Sequence, residues 1–318
     1  MVTLLGVSCS WGAPNLAQPI LVDGEHSRDH CAAVYIAPSG EGILIDAGHN
    51  IVRQIVTYAP ECLTVERDMR EAQTEIFGEA IQFRLAPQTI NTSIRRVLLT
   101  HSHDDHINGI TNLNQLAAVL GGPCDVHGSQ ETLNYVADPV TGSFKFVFAG
   151  KAVIGTGDQA RVLKLVAKVL PDNGEHFLPD GTNVRTLEVR HGKTSATIFG
   201  LPGFVYAPDI SHVTPQVVDF IADGNPHVVV LNCQSRNRKD HGSGDDYPHL
   251  GIEEFMLAAG AVGNRLSQKP IEFIAVHMQR AISDGFLEEQ FNRFRSKARI
   301  PDNVMLSVGR DGIKRQLG

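Results

Sequence analysis

The sequence predicts an α/β fold in which two β-sheets pack together with helices on their outer sides. Three observations point there. Short apolar runs of strand length alternate with longer helical patterns. Strands dominate the first part of the chain, whereas a βαβα order closes it. No repeat, linker or low-complexity tract divides the 318 residues. The expectation is therefore one domain over 1–318, with a helical insertion near 51–90.

Taken in order, residues 3–7 read as a brief strand ended by small residues. Residues 32–36 and 42–46 flank Pro38-Ser39-Gly40-Glu41, whose turn chemistry marks a hairpin. Residues 51–59 and 63–83 look helical, the latter rich in Glu, Arg, Ala and Gln. Residues 94–100 form a strand with an apolar end, as buried strands have. A helix near 110–120, a strand at 124–127 and a helix at 130–136 follow. Residues 143–169 give strand-like runs broken by glycines. Strands are expected at 184–189, 196–200, 204–207, 228–232, 271–276 and 304–308, and helices at 213–222, 252–266 and 281–295. Residues 235–249 are polar and Gly-containing, and read as an exposed loop. That loop is either the rim of a site or a plain solvated connection.

Composition excludes several classes. Hydrophobic residues make up 42% and charged residues 20%, ordinary for a globular protein. The net charge of −7 argues against gripping nucleic acid by bulk electrostatics. The five cysteines are widely spaced with no CxxC, so a disulfide framework is not expected and a reducing cytoplasm is. No apolar run approaches the ~18–20 residues of a membrane span, and the N-terminus lacks the basic start of a signal peptide.

The sharpest feature is His101-Ser102-His103-Asp104-Asp105-His106, between the strand at 94–100 and a helix. Imidazole and carboxylate are metal ligands, and His101 and His103 would point the same way in an extended segment. Asp105 and His106 can address a second position, which suggests a metal pair ~3.5–4 Å apart. His191, Asp209 and His277 each follow an apolar strand, where side chains gather at one sheet edge. Taken singly, such residues are more often structural; together with the cluster they become ligand candidates.

These residues carry a resemblance. Leu99 to Ile110 (LTHSHDDHINGI) resembles the signature of the metallo-β-lactamase-fold hydrolases, and Leu44-Ile45-Asp46-Ala47-Gly48 is similar to their upstream LIDxG segment. The opening Leu5 to Pro14 and the run Val126 to Leu133 resemble the branch that holds the carbon–phosphorus lyase accessory phosphodiesterases (PhnP-like) and the tRNA 3′-processing nucleases. The resemblance implies an αββα sandwich of the metallo-β-lactamase type, two mixed sheets with helices outside. It implies His101, His103 and His191 on one divalent ion and Asp105, His106 and His277 on another, with Asp209 bridging. The ions would be Zn²⁺, Mn²⁺ or Ni²⁺, since ligand types do not separate them. Asp46 would orient a ligand or simply cap a turn. Tyr247 to Glu254 resembles a stretch whose His lies beside the metals, which makes His249 a proton donor or phosphate contact, or else a helix-start residue without a chemical role.

The implied activity is hydrolysis of a small phosphodiester, cyclic ones included, by hydroxide held between the ions, with Asp105, His249 and Asp46 assisting. A tRNA 3′-processing endonuclease and a lactonase- or thioesterase-type ester hydrolase are the alternatives on the same fold, and a metal-binding protein without catalysis is a further one. Two departures stand out. Only Cys9 and Cys31 lie where the branch often has a structural zinc site, and Arg280 replaces its His, so no structural zinc is expected. The segment 63–88 is longer than the family's usual connection, and either covers the site or forms the contact of a homodimer. The expected partner is a small-molecule phosphodiester, with no membrane and no nucleic acid.

Overall fold

The computed structural model describes residues 1–6, 30–62, 94–113, 124–148, 152–154, 161–163, 165–234, 249–266, 269–278, 283–295 and 297–317. The expected helix at 63–83, most of the insertion at 51–90, Cys9, Arg280 and the loop at 235–248 lie outside them.

The strands in chain order are β1 (Val2–Gly6), β2 (Ala32–Ile36), β3 (Gly42–Ile45), β4 (Ile94–Leu98), β5 (Cys124–Gly128), β6 (Ala152–Ile154), β7 (Arg161–Leu163), β8 (Leu165–Val169), β9 (Asn173–Phe177), β10 (Asn183–His191), β11 (Thr194–Leu201), β12 (Phe204–Ala207), β13 (Val228–Asn232), β14 (Ile271–Val276), β15 (Val304–Val308) and β16 (Lys314–Arg315). The helices are α1 (Ile51–Tyr58), α2 (Asp104–Ile107), α3 (Gln130–Ala137), α4 (Lys145–Phe148), α5 (Pro215–Asp223), α6 (Ile252–Arg265) and α7 (Asp284–Arg295).

Two seven-stranded mixed sheets form, in the orders β16-β1-β2-β3-β4-β5-β8 and β15-β14-β13-β12-β11-β10-β9, and β6 pairs with β7 alone. This is the expected αββα sandwich. Period-two alternation explains the layering. In β2 and β3, Ala33, Tyr35, Ile43 and Ile45 enter the core shared with the second sheet. Their neighbours Ala32, Val34 and Leu44 face outward and pack on Ile51 and Ile55 of α1. A strand covered on both faces reads as a continuous apolar run, and for that reason β13 (VVVLN) is apolar at nearly every position.

Three local readings differ from the sequence expectation. Residues 145–148 are a helical turn rather than a strand. The short edge strands β9 and β16 carry no apolar signal and exist through pairing with β10 and β1. The helix expected from 213 starts at Pro215, because the Thr214 hydroxyl accepts from the Val217 amide and Pro215 occupies the first turn.

Direction places the site. Strands β3, β4 and β5 run parallel, as do β12, β13 and β14. Strand β10 is two antiparallel steps from β12 and so shares its direction. The carboxyl ends of all of them meet at one edge, where α/β sheets hold their ligands. The Thr197 amide donates to the Thr100 carbonyl at 2.9 Å and ties the two sheets together there.

Candidate metal centre

Each sequence-singled residue sits at this edge. Asp46 follows β3, the segment 100–106 follows β4, His191 ends β10, Asp209 lies beyond β12, and His277 follows β14 directly. His191 is the last strand residue itself, since β10 is longer than expected. The structure brings His101, His103 and His191 into one group and Asp105, His106 and His277 into another. Asp209 stands between them, grouping with His101 and His106 on one side and with His191 and His249 on the other. All are buried except His103, which marks the side open to solvent.

Asp46 organises the rings. Its fully buried carboxylate accepts from the Thr100 amide at 2.8 Å and from the Thr100 hydroxyl at 3.0 Å. It also accepts from His106 Nδ1 at 2.7 Å. The Thr100 oxygen lies 3.0 Å from His101 Nδ1 and can accept from it while donating to Asp46. Both rings then carry their proton on Nδ1 and turn an Nε2 lone pair toward the cluster. This chain of contacts goes beyond the turn cap that the sequence left as an alternative for Asp46. Asp46 and His277 also hold positive φ, at 61° and 60°. For non-glycine residues this conformation is uncommon, costs on the order of 1–3 kcal/mol and clusters at functional sites.

The donor set fits divalent cations. His101 Nε2, His106 Nε2 and both Asp209 oxygens are buried without a hydrogen-bond partner, while His277 Nε2 contacts Asp105 Oδ2 at 3.1 Å. His106 Nε2 is 2.8 Å from Asp209 Oδ2 without hydrogen-bond alignment, and His277 Nε2 is 3.2 Å from Asp209 Oδ1. His191 Nε2 and His103 Nδ1 face each other at 3.1 Å. Buried nitrogens and carboxylate oxygens left without a hydrogen bond are costly unless a cation lies among them. Three buried carboxylates, Asp46, Asp105 and Asp209, supply the matching negative charge.

The electrostatics follow from this crowding. Burial pushes His101 well below the ordinary imidazole range and His191 down to about 3, so both rings are neutral, the ligating form. Burial opposes charge on His106 too, but Asp46, Asp209 and Asp105 outweigh it and raise its pKa well above the ordinary value. Burial also acts to raise Asp209, yet His277 and His106 hold it well below the usual carboxylate range. A proton on His106 thus stands where a cation would serve the same carboxylates.

His249 lies 3.1 Å from Asp209 Oδ1 and stacks on His277 with centroids 4.5 Å apart. It precedes α6 rather than beginning it; the helix opens at Ile252, with Glu254 accepting from the Gly251 amide at 2.7 Å. Sequence reasoning missed His30, Gln54 and Asn232. Asn232 ends β13 and donates to the Ile210 carbonyl at 3.1 Å, beneath His249. None of them lies in a motif; only their placement at strand or helix positions near the edge could have signalled them.

The profile of the beta-lactamase superfamily domain matches residues 42–278, well over half of the chain. The chain belongs to the β-lactamase superfamily. Among solved structures it is similar to a diphosphatase from the PhnP family (16% identity, TM-score 0.63, covering 99% of this chain and 98% of that one). It is similar to Zn²⁺-bound PqqB from Methylobacterium extorquens (18%, TM-score 0.66, 99% of each chain). It is also similar to human tRNase Z, short form (12%, TM-score 0.58, 100% of this chain and 99% of that one). No curated protein sequence matches. The superfamily is one of hydrolases, and the His and Asp groups suit divalent metal ions. Among the described residues no helix is long and apolar enough to cross a membrane.

Proposed function

We propose that this superfamily member is a dinuclear metal-dependent phosphodiesterase acting on a small phosphodiester, cyclic substrates included. The observation that carries the reading is the pair of ligand groups meeting at the buried Asp209, whose two oxygens could each face one cation. His101, His103 and His191 would hold one ion, Asp105, His106 and His277 the other. Such ions supply Lewis acidity: they make water more acidic and take up charge developing on phosphoryl oxygens.

The chain's own groups do the rest. Asp46 fixes the rings of His106 and, through Thr100, His101. Asp105 and Asp209 are positioned to orient the attacking water by accepting its hydrogen bond. His249, buried beside Asp209, is the group we assign to proton exchange with the leaving oxygen. The PhnP-family diphosphatase among the similar structures supports a phosphoryl substrate. The acidic balance of −7 favours a small anion drawn by the local centre over a nucleic acid. We also propose that the chain is one cytoplasmic domain and a homodimer.

The test is turnover by protein loaded with Zn²⁺, Mn²⁺ or Ni²⁺. Bis(p-nitrophenyl) phosphate and 2′,3′- and 1,2-cyclic phosphates should be hydrolysed, and His103→Ala should be inactive. Lactone hydrolysis without phosphodiester hydrolysis would replace the reading with an ester hydrolase. Cleavage of a tRNA precursor alone would replace it with a processing nuclease.

A further inference from the structure

Ser211 lies two residues beyond Asp209, fully buried and outside every motif above. Its hydroxyl oxygen accepts from the Gly192 amide at 2.7 Å. Its own amide donates to the Arg190 carbonyl at 3.0 Å. These two partners belong to the peptide groups on either side of the His191 Cα. A residue has two soft backbone dihedrals, one toward each of its peptide groups. With both peptides bonded to Ser211, neither φ nor ψ of His191 turns freely, and the direction of its Cα–Cβ bond is set.

The local chain gives this bracket its importance. His191 pairs with Thr194 across β10 and β11, which leaves Gly192 and Lys193 as a two-residue hairpin loop. Such loops take positive φ at their first position, and Gly192 holds 60°. His191 is thus the last strand residue before a tight turn. The other ladder of β10, with β9, ends at Leu187, so the His191 end relies on contacts of this kind. The segment that carries Ser211 is itself tied down, since the Asn232 amide donates to the Ile210 carbonyl at 3.1 Å. At the tips of the two segments, His191 Nε2 stands 4.0 Å from Asp209 Oδ1. The strand end with one ligand candidate and the loop with the central carboxylate are therefore joined by protein contacts alone.

We infer that Ser211 is a positioning residue for metal binding: it locks His191 to Asp209 and so presets the ion position formed by His101, His103 and His191. Contacts behind a ligand orient it and support affinity, because a ligand already held in place loses less freedom when the ion binds. His101 and His103 follow β4 in the first sheet, whereas His191 is the one member of that group brought by the second. Freeing its backbone therefore acts on this position. Asp209 keeps the tie between Asn232 and Ile210, and the Asp105–His106–His277 position has no part in the bracket. The inference rests on the dinuclear reading above.

The experiment titrates the metal-free full chain with Zn²⁺ against a chromophoric chelator, tells the two ions apart by the ¹⁵N shifts of the histidine rings, and measures hydrogen exchange of the Gly192 amide. Wild type should bind two ions, and its Gly192 amide should exchange slowly with or without metal. Ser211→Ala should hold the ion on His101, His103 and His191 ~10–100-fold more weakly. It should leave the other ion unchanged and open the Gly192 amide to exchange. Ser211→Thr, which keeps the hydroxyl, should bind like wild type, and Ser211→Val, of the same shape without it, like Ser211→Ala. Thr214→Ala removes another hydroxyl of the same segment, one that accepts from the Val217 amide, and should change neither affinity. Should Ser211→Ala and Ser211→Val fail to fold, exchange in wild type decides alone: a fast Gly192 amide in the metal-free protein overturns the inference. Unchanged binding in Ser211→Ala, equal losses in the Thr and Val variants, an equal loss at both ions, or a matching loss in Thr214→Ala also overturns it. Fewer than two ions in wild type overturns the dinuclear reading itself, which keeps the two failures apart.

Discussion

His106 donates from Nδ1 to the Asp46 carboxylate at 2.7 Å, and neither side chain has any solvent exposure. The same carboxylate reaches His101 through the Thr100 hydroxyl, so a single residue from the first sheet sets rings in both ligand groups. Asp46→Ala should therefore weaken both ions together, by roughly 10–100-fold, and lower kcat with them. Asp46→Asn should fall between, since an amide oxygen can still accept from one partner. Metal titration beside turnover on bis(p-nitrophenyl) phosphate checks this; a loss confined to one ion contradicts the shared-orienter geometry.

Chelation should lower the melting temperature. An ion that binds only the folded chain stabilises it by about 2.7 kcal/mol at a free concentration of 100 times Kd. A thermal melt in chelator should shift down and return on adding excess Zn²⁺ or Mn²⁺. An unchanged melt would mean that the buried His and Asp groups satisfy one another without metal.

His127 gives a pH prediction away from the centre. Both of its ring nitrogens are buried without a partner, and burial lowers its pKa from 6.5 to about 4. The unfolded chain thus takes up the proton more readily, so stability from this group is full above pH 6.5 and is lost as pH falls toward 4. The loss reaches about 3 kcal/mol at the acid end. Denaturant melts of wild type and His127→Leu between pH 7 and pH 4.5 should converge in slope only if another group dominates; the variant should otherwise show the flatter profile.

Tyr206→Phe should leave folding stability unchanged within about 1 kcal/mol, or raise it. The Tyr206 hydroxyl is buried with no hydrogen-bond partner, so its removal forfeits no bond and relieves a desolvated polar group. Urea midpoints at constant m-value measure the change.

The ligand cluster was readable because His101 to His106 are adjacent in the chain and follow an apolar strand that fixes where the turn lies. His191, Asp209 and His277 were readable for the same reason: each apolar run ends at the edge that the fold makes common. Asp46 was visible as a motif, but its link to Thr100 and His106 needs a positive-φ turn that no residue type announces. His30 left no trace, because a lone histidine before a strand looks the same whether its ring is buried or wet. Strands β9 and β16 were silent because all of their residues are exposed, or partly so, and their existence depends on hydrogen bonds to β10 and β1. The apolar content of Phe144 to Phe148 misled in the opposite direction. Those residues pack as a helical turn against α3, and a short apolar run alone does not separate the two conformations.

The centre is divided between the sheets: Asp46 and the hexapeptide come from the first, His191, Asp209, His249 and His277 from the second. During synthesis the early segments therefore emerge with an incomplete claw, and His277 follows only after β13, α6 and β14 have been made. The first sheet is itself finished last, when Lys314 and Arg315 pair with Thr3 and Val2. Side chains able to claim a cation together are thereby united only once His277 has been made, and a product truncated before it lacks part of one ligand group.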